Sequence, residues 1–330
     1  MRILITGGAG FIGSHLAEKY LKSGNEVYII DNLATSTEEN IQHLIDNPDY
    51  KNLFFPTIDT IFNVDKLTEL VGICDVVFHM AAAVGVEYIL KNPLSSIVTN
   101  IRGTENVLDL CRKFKKRVLI ASTSEVYGKH EHAPLVETDN SIYGPSNKSR
   151  WSYAAAKLMD EFTALAHHRE SGLPVFIVRL FNTVGPRQSA QYGMVLPRFI
   201  QRAINHNPIL VYGDGKQTRT FTYIDDVVEA LIKLIETDKA IGEVVNIGGS
   251  EEISMKSLAL RIKEMTKSPS EIRHIPYDEA FTKDFEDMRR RVPSLEKLYS
   301  LIGWKPQINL QTILEKTIQF YQDIPQKVKN

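Results

Sequence analysis

Short apolar runs alternate with longer amphipathic stretches through the first 180 residues. Arg2–Thr6, Glu26–Ile30, Val76–His79, Arg117–Ser122 and Val175–Leu180 have the length and β-branched content of strands. Between them, Phe11–Ser23, Asn100–Phe114 and Trp151–Glu170 repeat apolar residues at helical spacing. Gly24-Asn25 closes the first of these helices. The alternation predicts an α/β fold: a Rossmann-type, doubly wound parallel sheet with helices on both faces. Past Asn182 the pattern changes, as Gly and Pro become frequent. Helices are expected over 196–205, 224–236, 254–265, 295–301 and 310–323, forming a smaller C-terminal lobe. The expected division assigns residues 1–181 to the sheet domain, with 222–248 returning to it, and 182–330 mainly to the lobe. Residues 36–50, 129–150 and 276–291 read as flexible stretches.

Composition narrows the class. With 43% hydrophobic and 24% charged residues the chain is an ordinary globular one, and 330 residues bury a core that needs no disulfide or metal. A net charge of −1 gives no chain-wide attraction to nucleic acid or an anionic membrane. Cys74 and Cys111 lie in or beside apolar segments and read as packed, reduced thiols. No CxxC and no Cys/His cluster is spaced for a metal, so none is expected. The opening apolar run is too short for a signal peptide, and the longest uncharged apolar stretch, Val76–Val86, falls far below a membrane span. A cytoplasmic protein that binds no membrane is expected.

The first strand runs into Thr6-Gly7-Gly8-Ala9-Gly10-Phe11-Ile12-Gly13, and a helix opens there. Three glycines alone are a weak signal; between a strand and a helix they are the phosphate-binding turn of a dinucleotide site. Gly7, Gly10 and Gly13 let the backbone approach a pyrophosphate, and Phe11 and Ile12 open the helix whose amides face it. Asp31 ends the second strand, 18 residues beyond Gly13. A carboxylate there accepts ribose hydroxyls and repels a 2′-phosphate, and Asn32 follows with no nearby Arg or Lys, so NAD is expected rather than NADP. Asp59 reads either as a contact to the adenine edge or as a solvated loop acid. In His79-Met80-Ala81-Ala82-Ala83, small residues such as Ala81 would let the cofactor pass close by, while His79 alone reads as a packed strand residue.

Tyr153 and Lys157 stand four apart, on one face of a helix. The ammonium of Lys157, with the positive nicotinamide ring, would lower the phenol's pKa so that Tyr153 takes a hydroxyl proton while hydride leaves the same carbon. Thr123, at the end of the strand before Ser124-Glu125, can bond the reacting hydroxyl and relay its proton. Plain strand capping is the competing reading for Ser122 to Ser124, and a strand-end surface acid the competing one for Glu125.

These motifs resemble the extended short-chain dehydrogenase/reductase family over essentially the whole chain. Besides the glycine turn and Tyr153-x-x-x-Lys157, the resemblance rests on Asn100-Ile-Arg-Gly-Thr104, Phe181-Asn182-Thr183-Val184-Gly185-Pro186-Arg187 and Gly303-Trp304-Lys305-Pro306. It implies a nucleotide-sugar enzyme working through a 4-keto sugar. It also implies a homodimer packed through two helices per subunit, one carrying Tyr153; Ala154, Ala155, Ala156, Leu158 and Phe162 make that helix apolar beyond one face.

The triplet after the strand narrows the chemistry. The family's 4,6-dehydratases usually carry Thr-Asp-Glu, its 4-epimerases usually lack the Glu, and Thr123-Ser124-Glu125 is similar to UDP-glucuronate decarboxylases. Gly144–Tyr153, with Arg150 three before the tyrosine, resembles the decarboxylase domain of bacterial lipid A modification, and Gln217–Phe221 resembles the decarboxylase segment bearing an active-site arginine. A diphosphate plus a carboxylate needs several cations, and guanidinium suits bidentate oxyanion binding. Arg187, Arg219 and Arg291 are the candidates, though Arg289-Arg290-Arg291 also reads as a solvated run. Asn182 is expected at the substrate, and Glu125 holding sugar hydroxyls or guiding a proton at C5. The resemblance thus implies a UDP-glucuronate decarboxylase, with a UDP-sugar 4-epimerase as the alternative. A non-catalytic NAD-binding regulator on the same fold would be expected to have lost the tyrosine or the first glycines, and both are intact.

Overall fold

The computed structural model describes residues 1–130, 132–190, 194–280 and 288–323. The first half alternates as expected: β1 (Arg2–Thr6), α1 (Phe11–Lys22), β2 (Glu26–Asp31), α2 (Glu39–Ile45), β3 (Phe54–Ile58), α3 (Val64–Ile73), β4 (Val76–His79), α4 (Val86–Lys91), α5 (Pro93–Phe114), β5 (Arg117–Thr123), α6 (Ser152–Ser171) and β6 (Val175–Leu180). The second half adds β7 (Thr183–Val184), α7 (Val195–Ile204), β8 (Ile209–Tyr212), β9 (Thr218–Thr220), β10 (Thr222–Tyr223), α8 (Ile224–Glu236), β11 (Val244–Ile247), β12 (Glu252–Ser254), α9 (Met255–Met265), β13 (Ile272–Ile275), α10 (Tyr277–Ala280), β14 (Arg290–Arg291), α11 (Glu296–Ile302) and α12 (Leu310–Asp323).

Seven strands form one sheet in the order β11-β6-β5-β4-β1-β2-β3, every pair parallel. The central strands are buried on both faces, which is why they read as unbroken apolar runs rather than alternating ones. Two apolar clusters cover the two faces, one built around α1, α8 and the lobe, the other around α3, α5 and α6. Strand order reverses at β1, so a crevice opens beyond the carboxyl ends of β1 and β4, the switch point where such folds bind ligands. β11 joins β6 through Val244↔Ile177 to Ile247↔Leu180, so the chain does return to the sheet after entering the lobe. Small sheets, β10-β7, β12-β9-β14 and β13-β8, lie beyond it.

Local chemistry sets the helices that carry the site. Pro93 occupies the first turn of α5, where its missing N–H costs nothing, so the helix begins seven residues before the expected Asn100. Gly172, left-handed at φ 71°, ends α6. The stretch 36–50, read as flexible, contains α2, anchored by buried Ile41 and Leu44 and by Asn40, whose side chain donates to the Ala9 carbonyl oxygen at 2.9 Å. Of 129–150, residue 131 lies outside the described ones; the rest is tied back by Gly128↔Ile142 and Leu135↔Pro293 bridges. Of 276–291, residues 281–287 lie outside the described ones; the rest includes α10 and β14. Both cysteines are buried and free, and burial pushes Cys74 up to about 12, as inert packed thiols should be. Among the described residues no helix is long and apolar enough to cross a membrane.

Candidate active site

A cavity of about 1190 Å³ runs across the carboxyl ends of the strands, from Asp31 and Asp59 to Glu125 and Arg291. Its first end is the glycine turn. Gly7 has φ 70°, and a Cβ there would sit 2.7 Å from the Ala81 amide nitrogen. A Cβ on Gly13 would lie 2.2 Å from the Gly7 carbonyl oxygen. Backbone therefore packs on backbone, α1 starts directly under the turn, and Gly10, Phe11 and Ile12 line the cavity at that helix end. Asp31 accepts from Ala9 N at 3.0 Å, Leu33 N at 2.9 Å and Ser36 Oγ at 2.7 Å, so its carboxylate is fixed at the tip of β2 with Asn32 beside it. Asp59 accepts from Thr60 N and Asn63 Nδ2 and also faces the cavity. A cradle without side chains, a helix N-terminus and a fixed strand-end acid fit a dinucleotide that carries no 2′-phosphate.

Tyr153 and Thr123 both line the cavity, and Thr123 Oγ1 accepts from Glu125 N at 3.2 Å. Burial pushes the Tyr153 phenol above its ordinary range. The charges of Glu125 and Asp160 push it further, against the Thr123 hydroxyl and the Arg150 charge. The expected lowering by Lys157 is not seen in the protein alone. Lys157 is buried, and its Nζ donates to Asp160 Oδ2 at 2.7 Å. Ser124 lines the cavity, its Oγ buried without a hydrogen-bond partner among the described residues.

Glu125 sits in a nest of cations. Arg150 Nη1 donates to its Oε2, and Arg291 Nη1 lies 3.7 Å from its Oε1. Burial would raise this carboxyl, but the Arg150 and Arg291 charges, the Arg150 hydrogen bond and the Arg219 charge outweigh it and hold Glu125 down at about 2. Arg150, Arg219 and Arg291 are all buried. Sequence placed these four residues near one substrate, not around one carboxylate. Arg187 stands elsewhere: its Nη2 donates to Glu18 Oε2 at 2.7 Å and its Nη1 to the Asn40 carbonyl oxygen at 3.3 Å, on the dinucleotide side of the cavity. That pairing removes it from the cations around Glu125. Asn182, at φ 23°, lines the cavity while its Nδ2 donates to the Thr220 carbonyl oxygen at 2.8 Å.

Several contributors gave no signal of their own in the sequence. Asn100 Oδ1 accepts from Ala83 N at 2.9 Å and so pins the small-residue segment after β4. His79 is packed, as its strand position suggested: its Nδ1 lies 2.8 Å from Thr6 Oγ1 and its Nε2 3.0 Å from Thr104 Oγ1, and burial, with the Lys157 charge, lowers it to about 3. Glu161 on α6 accepts from Arg179 on β6 through both oxygens and from Ser122 on β5, clamping α6 to the sheet. Away from the cavity, folding gathers His130, His132 and Asp139, a cluster the spacing did not show. His132 turns Nδ1 to His130 at 3.3 Å and Nε2 to Asp139 at 3.5 Å, and one ligand atom from each of the three lies within 4.8 Å of the others.

Comparison with known proteins gives consistent results. The family profile described as GDP-mannose 4,6 dehydratase matches residues 4–317. The UDP-N-acetyl-alpha-D-glucosaminuronate decarboxylase of Bacillus cytotoxicus is 42% identical over 325 residues, covering 98% of both chains. UDP-glucuronic acid decarboxylase 1 of Arabidopsis thaliana is 36% identical over 98% of this chain and 70% of its own length. The crystal structure of UDP-glucuronic acid 4-epimerase from Bacillus cereus, in complex with UDP-glucuronic acid and NAD, superposes with a TM-score of 0.87 at 31% identity, covering 98% of this chain and 99% of that one.

Proposed function

The chain belongs to the GDP-mannose 4,6-dehydratase family, and on that footing we propose that it is a UDP-glucuronate-type decarboxylase, using NAD and a 4-keto intermediate to remove C6 of a UDP-linked uronic acid. The observation that carries the reading is the Glu125 carboxylate in the cavity wall that also holds Tyr153 and Arg291, gripped by Arg291 and, from behind the wall, by Arg150, with the Arg219 charge added. A buried site with several guanidiniums suits a substrate bearing a diphosphate and a carboxylate.

The residues divide the work. Gly7, Gly10 and Gly13 seat the pyrophosphate of NAD on α1, and Asp31 holds the adenosine ribose. NAD held there would supply a reversible hydride acceptor for C4. Tyr153 takes the C4 hydroxyl proton, with the Thr123 hydroxyl in the same cavity wall to bond the reacting oxygen; a bound nicotinamide ring would add the positive field that lowers the buried phenol. Once C4 is a ketone the C6 carboxylate is β to it and leaves as CO₂. Arg219 and Arg291 hold the anionic groups. Glu125 is ionised at any working pH and accepts from sugar hydroxyls or guides the proton at C5. Ser124 stands where the family's dehydratases carry an acid, and a neutral hydroxyl does not supply that acid. Residues 1–181 with 222–248 serve NAD, and 182–330 mainly the nucleotide sugar. The protein acts in the cytoplasm as a homodimer. The dimer is supported by Met159 and Phe162 of α6 and Leu94 of α5, all more than half or about half exposed at 50%, 56% and 73%.

A 4-epimerase is the second reading, favoured by the likeness to the Bacillus cereus enzyme, because both reactions diverge from one ketone. The test is to offer UDP-glucuronate and UDP-N-acetylglucosaminuronate separately with NAD and measure released CO₂. One CO₂ per sugar consumed, on either substrate, supports the proposal and selects its sugar. Consumption without CO₂ supports the epimerase.

A further inference from the structure

Lys157 and Asp160 form an ion pair with both side chains 2% exposed, one turn apart on α6. An ammonium buried this deeply keeps its proton only with a counter-charge, since desolvation alone lowers a buried lysine by several pH units. Thr104, on the neighbouring helix α5, donates its hydroxyl to the Asn100 carbonyl oxygen at 2.6 Å. Thr104 bonds His79, His79 bonds Thr6, and Thr6 Oγ1 accepts from Ala81 N at 3.2 Å. A buried polar chain thus runs from the cofactor-facing segment after β4 to Thr104 on α5, the helix packed against α6.

We propose that Asp160 is the positioning residue for Lys157, its carboxylate keeping the buried ammonium charged and fixed one turn from Tyr153. The inference rests on the proposed oxidation by Tyr153 and Lys157. The other groups around the pair do not replace Asp160. His79, from β4, is neutral at working pH; Tyr153 is a phenol; and Glu161, on the same helix, is committed to Arg179 and Ser122. Asp160 itself is pushed above the usual carboxylate range by burial, against the Lys157 charge and the hydrogen bond from Lys157.

The test is Asp160→Asn, which keeps shape and removes charge, read in two ways. The ¹³Cε resonance of Lys157, identified by its loss in Lys157→Met, should titrate at least about one pH unit lower than in the wild type. The alkaline fall-off of kcat should move down with it while KM for the UDP-sugar stays constant. Thr104→Val, which keeps the charge pair, should leave the lysine titration in place. An unmoved Lys157 titration in Asp160→Asn, or the same shift in Thr104→Val, overturns the proposal. The lysine titration needs no turnover, so failure of the decarboxylase reading would show separately, as a wild type inactive on both uronates. If Asp160→Asn does not fold, the double variant Asp160→Asn/Lys157→Met should, because it leaves neither charge of this pair buried alone; its failure to fold where Lys157→Met folds also overturns the proposal.

Discussion

Replacing Glu125 with glutamine preserves side-chain volume and an acceptor for Arg150 but removes the charge that the cations surround. The carboxyl is held at about 2 instead of its ordinary 4.5, because the Arg150 and Arg291 charges outweigh the burial that would raise it. At about 1.4 kcal/mol for each tenfold change in proton affinity, this is worth on the order of 3 kcal/mol of folding stability at neutral pH. A chain of this size unfolds with an entropy of roughly 0.7 kcal/mol per kelvin, so Glu125→Gln should lower Tm by about 4 °C at pH 7. A depressed carboxyl stabilises above its unfolded pKa, and the contribution is lost as pH falls from about 4.5 towards about 2. The Tm gap between wild type and variant should therefore be constant from pH 7 to pH 5 and roughly halved near pH 3. Scanning calorimetry across that range is the assay. In parallel, kcat should fall by about 100-fold or more while KM for the uronate does not rise, since the cations that bind it remain. A Tm unchanged at pH 7, or a gap that persists undiminished at pH 3, would refute the electrostatic argument.

Tyr153→Phe should cost about 100- to 10,000-fold in turnover while NAD binding, followed by fluorescence quenching, is retained; near-normal turnover would remove the phenol from the mechanism. Gly13→Ala forces a methyl to within 2.2 Å of the Gly7 carbonyl oxygen, so the variant should lose NAD affinity by at least about tenfold in calorimetric titration, with far-UV dichroism intact. Phe162→Glu should shift the mass measured by light scattering from dimer to monomer, whereas an unchanged mass would place the interface elsewhere.

The parts of the fold legible in the sequence are those where one local pattern decides. Unbroken apolar runs such as Val76–His79 can only be strands covered on both faces, and a glycine turn between strand and helix fixes where the phosphates go. α2 was not legible because it is short and buries only Ile41 and Leu44 within a polar stretch. β3 contains Pro56, which argues against a central strand and is tolerated at the sheet edge this strand occupies. Within the site, Tyr153, Lys157 and Thr123 announce themselves by spacing. Arg150 meeting Glu125 across 25 residues, and Arg187 meeting Glu18 across 169, depend on tertiary packing that no local window contains. Asp160 was passed over because an acid on an amphipathic helix ordinarily faces water; burial against α5 is what gives it a role.

The most direct measurement is the fate of C6. Purified protein is incubated with NAD and UDP-uronate labelled with ¹³C at C6, and the mixture is followed by ¹³C and ¹H NMR. The expected result is label in CO₂ and bicarbonate, matched one for one by a UDP-pentose. For the 2-acetamido substrate, the matching product is the 2-acetamido pentose. Label retained in a 4-epimerised UDP-uronate, with no CO₂, would contradict the assignment of Glu125 and its arginines to decarboxylation.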